Sequence, residues 1–184
     1  SCLVGSEMCI RDRYYIQAFK NKLYNGGVSD AIRITPYKQI AEVFFRWSQS
    51  IQRGEENIIN KSFYLSLANF ADPTSSFLKF NLATILSDTG NYELSKEILD
   101  NFSNDDVFFM DSIVENSFAI EQLDSNESAL EYIQQFIIDG YANARLLKTY
   151  GSLQRSMSLF KEAIKSYTRA IEVAKRETYT AVSY

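Results

Sequence analysis

Histidine is absent from this chain, and with it every Ser-His-Asp arrangement and most zinc chemistry. Only two cysteines occur, Cys2 and Cys9. Past the first nine residues there is no thiolate nucleophile and no disulfide partner. Glycine-rich phosphate loops are missing too, since Gly26-Gly27 has neither the spacing nor the lysine of one. No apolar run approaches the roughly 18 residues that a membrane span needs. An excess of basic charge is lacking: net charge is -4 and the pI about 5.0, against the basic footprint of a nucleic-acid binder. Two prolines and seven glycines in 184 residues leave few helix breakers. What is present is ordinary for a folded protein, 46% hydrophobic and 23% charged, and long enough for one sizeable domain.

The informative feature is a period. Ala68, Phe102, Phe136 and Ala170 stand 34 residues apart. Ser48, Ala83, Ser117 and Gly151 form a second column, spaced 35, 34 and 34. Ser95, Ala129 and Ala163 form a third, where two helices must cross closely. Apolar residues recur at three- and four-residue steps between these marks, as in Ile40, Val43, Phe44, Trp47 and Ile51. The pattern predicts four helix pairs: 36–53 with 56–71, 75–88 with 91–102, 106–123 with 126–138, and 142–156 with 158–175. Thr35 as cap and Pro36 in the first turn start the series. Gly54, Thr89-Gly90-Asn91, Asp124-Ser125 and the Asp72-Pro73 and Asp139-Gly140 steps punctuate it. A shorter helix is expected over 14–24, with Tyr15, Ile16, Phe19 and Leu23 on one face. Gly26-Gly27 stops it, and a linker runs to Pro36.

Both ends read differently. Leu3 to Asp12 resembles the in-frame translation of a sequencing-library adapter, and Val182-Ser183-Tyr184 resembles its opposite strand. Residues 1–13 and 181–184 are therefore set aside from fold reasoning, as processing segments should be. The expectation is an internal fragment of a longer chain, with 176–184 as tail and flanking repeats of the same chain missing. Compartment stays open between cytoplasm and periplasm.

Asn81-Leu82-Ala83 with Gly90-Asn91-Tyr92-Glu93-Leu94-Ser95, and Tyr150-Gly151 with Phe160 to Ile171, resemble the tetratricopeptide repeat. Leu65, Leu99, Ile133 and Tyr167 fill its large position. Departures are Lys61 at a small position, an extra residue in the first turn, and Asn116 and Asn126 where the consensus is apolar. The likeness extends to internal segments of long bacterial multi-repeat proteins. It implies an all-α, right-handed α-solenoid of about four helix pairs that holds a protein or peptide partner, uses no cofactor and does no chemistry. One pair cannot bury its apolar face alone, so stacking neighbours makes the core.

Adjacent carboxylates, Glu55-Glu56 and Asp105-Asp106, lie at helix starts or turns, where they favour the positive end of the helix dipole. Asp124 to Glu127 lacks the 12-residue spacing of a calcium loop, and Asp124 or Ser125 is read as a cap.

The resemblance places ligand contacts on the concave side, along the first helix of each pair. The second pair offers Phe77, Phe80, Asn81, Thr84, Ser87 and Asp88. The third offers Asp111, Val114, Glu115, Phe118, Glu121 and Gln122. The fourth offers Arg145, Lys148, Thr149, Ser152, Arg155 and Ser156. Two readings stay open. The change from apolar to acidic to basic orients a peptide, or the acidic and basic helices face and pair with each other. Likewise Phe77, Phe80 and Phe118 are recognition anchors or packing residues. The carboxylate-clamp subtype of the family does not fit: its positions hold Phe45, Gln49, Asn81, Asp111 and Glu115, whose two acids would repel a carboxylate. Two other roles remain beside the binding module: a structural spacer, or the regulatory region of a larger enzyme.

Overall fold

Thr35 opens the first helix. Its Oγ1 accepts from Lys38 N at 3.3 Å, and Pro36 at the first position has no N–H to leave unpaired. The computed structural model describes residues 35–51 and 55–182. The expected helix over 14–24, its linker and the adapter-like 1–13 lie outside these. Eight helices follow in the described residues: α1 Pro36–Ser50, α2 Glu55–Ala71, α3 Ser76–Asp88, α4 Tyr92–Leu99, α5 Phe109–Leu123, α6 Asn126–Ile138, α7 Ala144–Ser156 and α8 Phe160–Val182. They pair as α1/α2, α3/α4, α5/α6 and α7/α8, and each pair stacks on the next. The architecture is the expected right-handed α-solenoid.

Local chemistry sets the boundaries. Ser75, Ser125 and Asn143 cap α3, α6 and α7 by accepting from Leu78, Ser128 and Leu146 N–H groups. Three ends are Schellman closures, in which the N–H two residues past the cap returns to the third-last helical carbonyl. These are Asn91 N to Leu86 O, Tyr141 N to Phe136 O, and Leu159 N to Gln154 O. Each needs one left-handed residue. Gly90 and Gly140 supply it with φ of 79 and 94°, but at the third Ser158 takes φ 62°.

The small-residue columns are the crossing points. Ser48, Ala83, Ser117 and Gly151 are buried, and so are Ser95, Ala129 and Ala163. At Gly151 a Cβ would meet the Tyr167 ring at 3.0 Å, so nothing larger fits without the ring moving. Ser95 fills its crossing with a hydroxyl that donates to Ala83 O at 2.8 Å and contacts Ser87 Oγ at 2.8 Å. Leu65, Leu99 and Ile133 occupy the large position with 3% exposure or less.

Several boundaries shift by two or three residues, among them the end of α1 at Ser50 and the start of α5 at Phe109, and two are informative. Helix α4 ends at Leu99 rather than 102, because Asp100 turns to Lys96 and Asn116 and the run to Asp106 is rich in turn formers. Phe102 then drops into the core, edge-on to Phe80 at 6.4 Å. Helix α8 runs on to Val182, past the expected 175.

Candidate functional site

Successive first helices touch directly, α3 with α5 and α5 with α7, as the inner side of a curved stack requires. The expected ligand contacts lie on these three helices, but they do not share one fate.

On α3, Phe77 and Phe80 are separated by less than one turn. Phe77 is 39% exposed, between Phe45 of α1 at 5.0 Å and Phe108 at 5.9 Å. Phe80 is 3% exposed, stacked on Phe108 at 5.1 Å. Phe80 is thus a core residue and no anchor for a ligand. It points into the α3–α5 junction, where burial of a whole ring outweighs any exposed contact. Ser87 and Val114, also expected in the groove, are buried too, Ser87 with its hydroxyl 2.8 Å from Ser95 Oγ. Phe118 is 43% exposed and leans edge-on against Tyr92 at the start of α4, 6.0 Å away.

The charges meet each other. Arg145 of α7 reaches back to α5, where Nη1 pairs with Asp111 and Nη2 donates to Glu115 Oε1 at 3.0 Å. All three side chains are half-buried. Of the two electrostatic readings, internal pairing is what the structure contains at this point. Lys148 and Arg155 are exposed and enter no ion pair among the described residues. Asp88 and Gln122 are exposed at the ends of α3 and α5.

The small polar side chains are tied to their own helices. Asn81 Nδ2 donates to Phe77 O at 2.7 Å, Thr84 Oγ1 to Phe80 O at 3.0 Å, and Thr149 Oγ1 to Arg145 O at 3.1 Å. Asn81 keeps its carbonyl oxygen for a partner.

The outer side holds a feature that the residue patterns did not reveal. An open cleft of about 490 Å³ is lined by Lys96, Ile120, Leu123, Asp124, Ser128, Glu131, Tyr132 and Gln135. Beneath it runs a polar chain. Lys96 pairs with Asp100 at 2.6 Å, and Asn116 Nδ2 donates to Asp100 Oδ1 at 2.7 Å and to Tyr132 Oη at 3.0 Å. Asn116 is fully buried, and its Oδ1 has no protein partner among the described residues. Burial pushes the Tyr132 phenol up to about 12; the Asp100 carboxylate adds to the rise and the Asn116 hydrogen bond opposes it. The signal was Asn116 itself, an amide in an apolar register.

Among the described residues no cluster of His, Cys, Asp or Glu could hold a metal ion, and no helix is long and apolar enough to cross a membrane.

No family model matches the sequence, and no curated protein does. Solved structures do resemble it. A crystal structure of MamA matches with TM-score 0.55 at 16% identity, over 86% of this chain and 95% of that one. MamA 41-end from Desulfovibrio magneticus RS-1 matches with TM-score 0.55 at 13% identity, over 89% and 94%. MamA has a tetratricopeptide-like helical-repeat fold. At this identity the likeness establishes the fold.

Proposed function

We propose that this chain is an interaction scaffold whose inner face holds an extended peptide or protein segment. One observation carries the reading: Phe77 and Phe118 remain open on the inner helices, while Lys148 and Arg155 of α7 stand free of ion pairs. Apolar anchors at one end and free cations at the other suit a segment with aromatic or aliphatic residues followed by acids. Asp111, Glu115 and Arg145 form the closed strip between. Asn81, Thr84, Asp88, Gln122 and Thr149 line the path without anchoring it.

The test is a peptide-array screen against the whole chain, followed by Phe118→Ala and Lys148→Glu with Arg155→Glu. Selected peptides should carry apolar and then acidic residues, and each change should weaken them about tenfold, at the level of one lost hot spot. Peptides indifferent to both changes would place binding elsewhere.

A second reading has its own support. Tyr37, Ile40, Val43 and Trp47 of α1 and Ile59, Phe63 and Phe70 of α2 are exposed. Such a face suits a repeat embedded in a longer solenoid, as spacer or regulatory region of a larger protein.

A further inference from the structure

Helix α8 carries a surface that the groove does not use. Its inner side, Ala163, Ser166 and Ala170, is buried. Phe160, Ile164 and Ile171 follow at steps of four and seven, on one stripe of the outer side, and are 60, 65 and 57% exposed. The stripe spans about three helical turns, ~16 Å. Beside it on the solvent flank stand Lys161, Lys165 and Lys175, all exposed and outside every ion pair among the described residues, with Glu172 between them; Glu162 and Arg169 are exposed farther round the helix.

This end of the chain is basic against an acidic middle. Residues 144–176 hold eight Lys and Arg against two Asp and Glu; residues 72–139 hold fourteen Asp and Glu against two Lys. The chain already contains one basic helix stacked on an acidic one, where Arg145 of α7 meets Asp111 and Glu115 of α5. A helix laid on α8 faces the complementary problem. It needs an apolar ridge for the stripe and carboxylates for the flank. An anionic membrane or a nucleic acid would meet the same cations, but it would also be repelled by the acidic repeats behind them.

We infer that the outer face of α8 docks an acidic amphipathic α-helix of a separate protein. Its apolar side covers Phe160, Ile164 and Ile171, and its carboxylates lie over Lys161, Lys165 and Lys175. This surface is distinct from the groove, and none of its residues serves the groove reading.

The probe is a labelled helical peptide with leucines on one face and glutamates on the other, titrated into the whole chain by fluorescence anisotropy. A lysine twin and a scrambled glutamate peptide of equal composition accompany it. The glutamate helix should bind and the other two should not. Lys161→Glu, Lys165→Glu and Lys175→Glu together should weaken it more than about tenfold and transfer binding to the lysine twin, as reversal of a charge pattern does. Ile164→Ser should weaken both. The altered side chains are exposed, so circular dichroism should stay the same. Failure of every glutamate helix to bind would overturn the inference, as would equal binding of the scrambled peptide or of the lysine twin. Two further results would also overturn it: sedimentation showing that the same changes dissolve a self-associated chain, or cosedimentation with phosphatidylglycerol vesicles in place of peptide binding.

Discussion

Where α3 meets α5, the inner side of the solenoid is closed by Phe77, Phe80 and Phe108, and the outer side by the Asp100–Asn116–Tyr132 chain around the buried Asn116. Where α5 meets α7, the inner side is closed by Arg145 with Asp111 and Glu115. Its interior centres on Ile113, Ile133, Leu146 and Leu153, with Phe109, Phe136 and Tyr150 packed against them. Polar and apolar contacts have changed places between two junctions of one backbone design. The small residues at the crossings set how closely the two helices of one pair approach, and they leave the chemistry between pairs unconstrained. That chemistry is free to vary, and it decides how each junction responds to its surroundings.

The largest difference should appear on emptying the aromatic junction. Phe80→Ala removes a fully packed ring and should cost about 3–5 kcal/mol by urea denaturation. A loss below about 1 kcal/mol would mean that Phe80 does not hold the junction.

Alkali should distinguish the outer sides. An unfolded tyrosine ionises near 10, whereas Tyr132 holds its proton to about 12. Between these values the unfolded state loses the proton first and is favoured. The contribution is intact below pH 10 and lost as pH rises to 12, about 3 kcal/mol in all. Tyr132→Phe should remove that part of the decline, read as the difference between two pH–stability curves.

The small-residue columns were legible in sequence because backbone contact at a crossing tolerates little else, and the demand returns with each repeat. Groove use was less legible. Phe77 and Phe80 look alike in sequence, but one is open and the other closed, and only depth in the stack separates them. The ion pair did leave a trace, since Asp111 and Arg145 are 34 residues apart, one repeat, at the same register. Opposite charges at that offset are the mark of adjacent first helices in contact. Asn116 was seen as a misfit, but its partners, Asp100 at the end of α4 and Tyr132 on α6, lie sixteen residues away in each direction. The early end of α4 hid behind a continuing apolar register, because Phe102 belongs to the core without belonging to the helix.

A smaller effect should mark the ionic junction. Arg145→Met leaves Asp111 and Glu115 one turn apart without their cation. The cost should be about 1 kcal/mol in dilute buffer and shrink toward zero in 1 M salt, where screening acts within roughly 3 Å. The Phe80→Ala cost should not shrink with salt. Equal salt dependence of the two would collapse the contrast between junctions.

The smallest effect should come from deleting residues 1–13. If they are adapter-like, helical circular dichroism and melting temperature should stay nearly unchanged. Loss of cooperative unfolding would show instead that they belong to the folded unit.

The Arg145 clasp has a mechanical meaning. Repeats that contact only their neighbours act as elastic elements in series, and the most compliant one takes most of an applied extension. A junction closed by rings keeps its stiffness in any electrolyte, whereas one closed by ions softens as the electrolyte thickens. Stretched between its ends in strong salt, this solenoid should open first between α5 and α7. The location of the yield point would be set by ionic strength rather than by force.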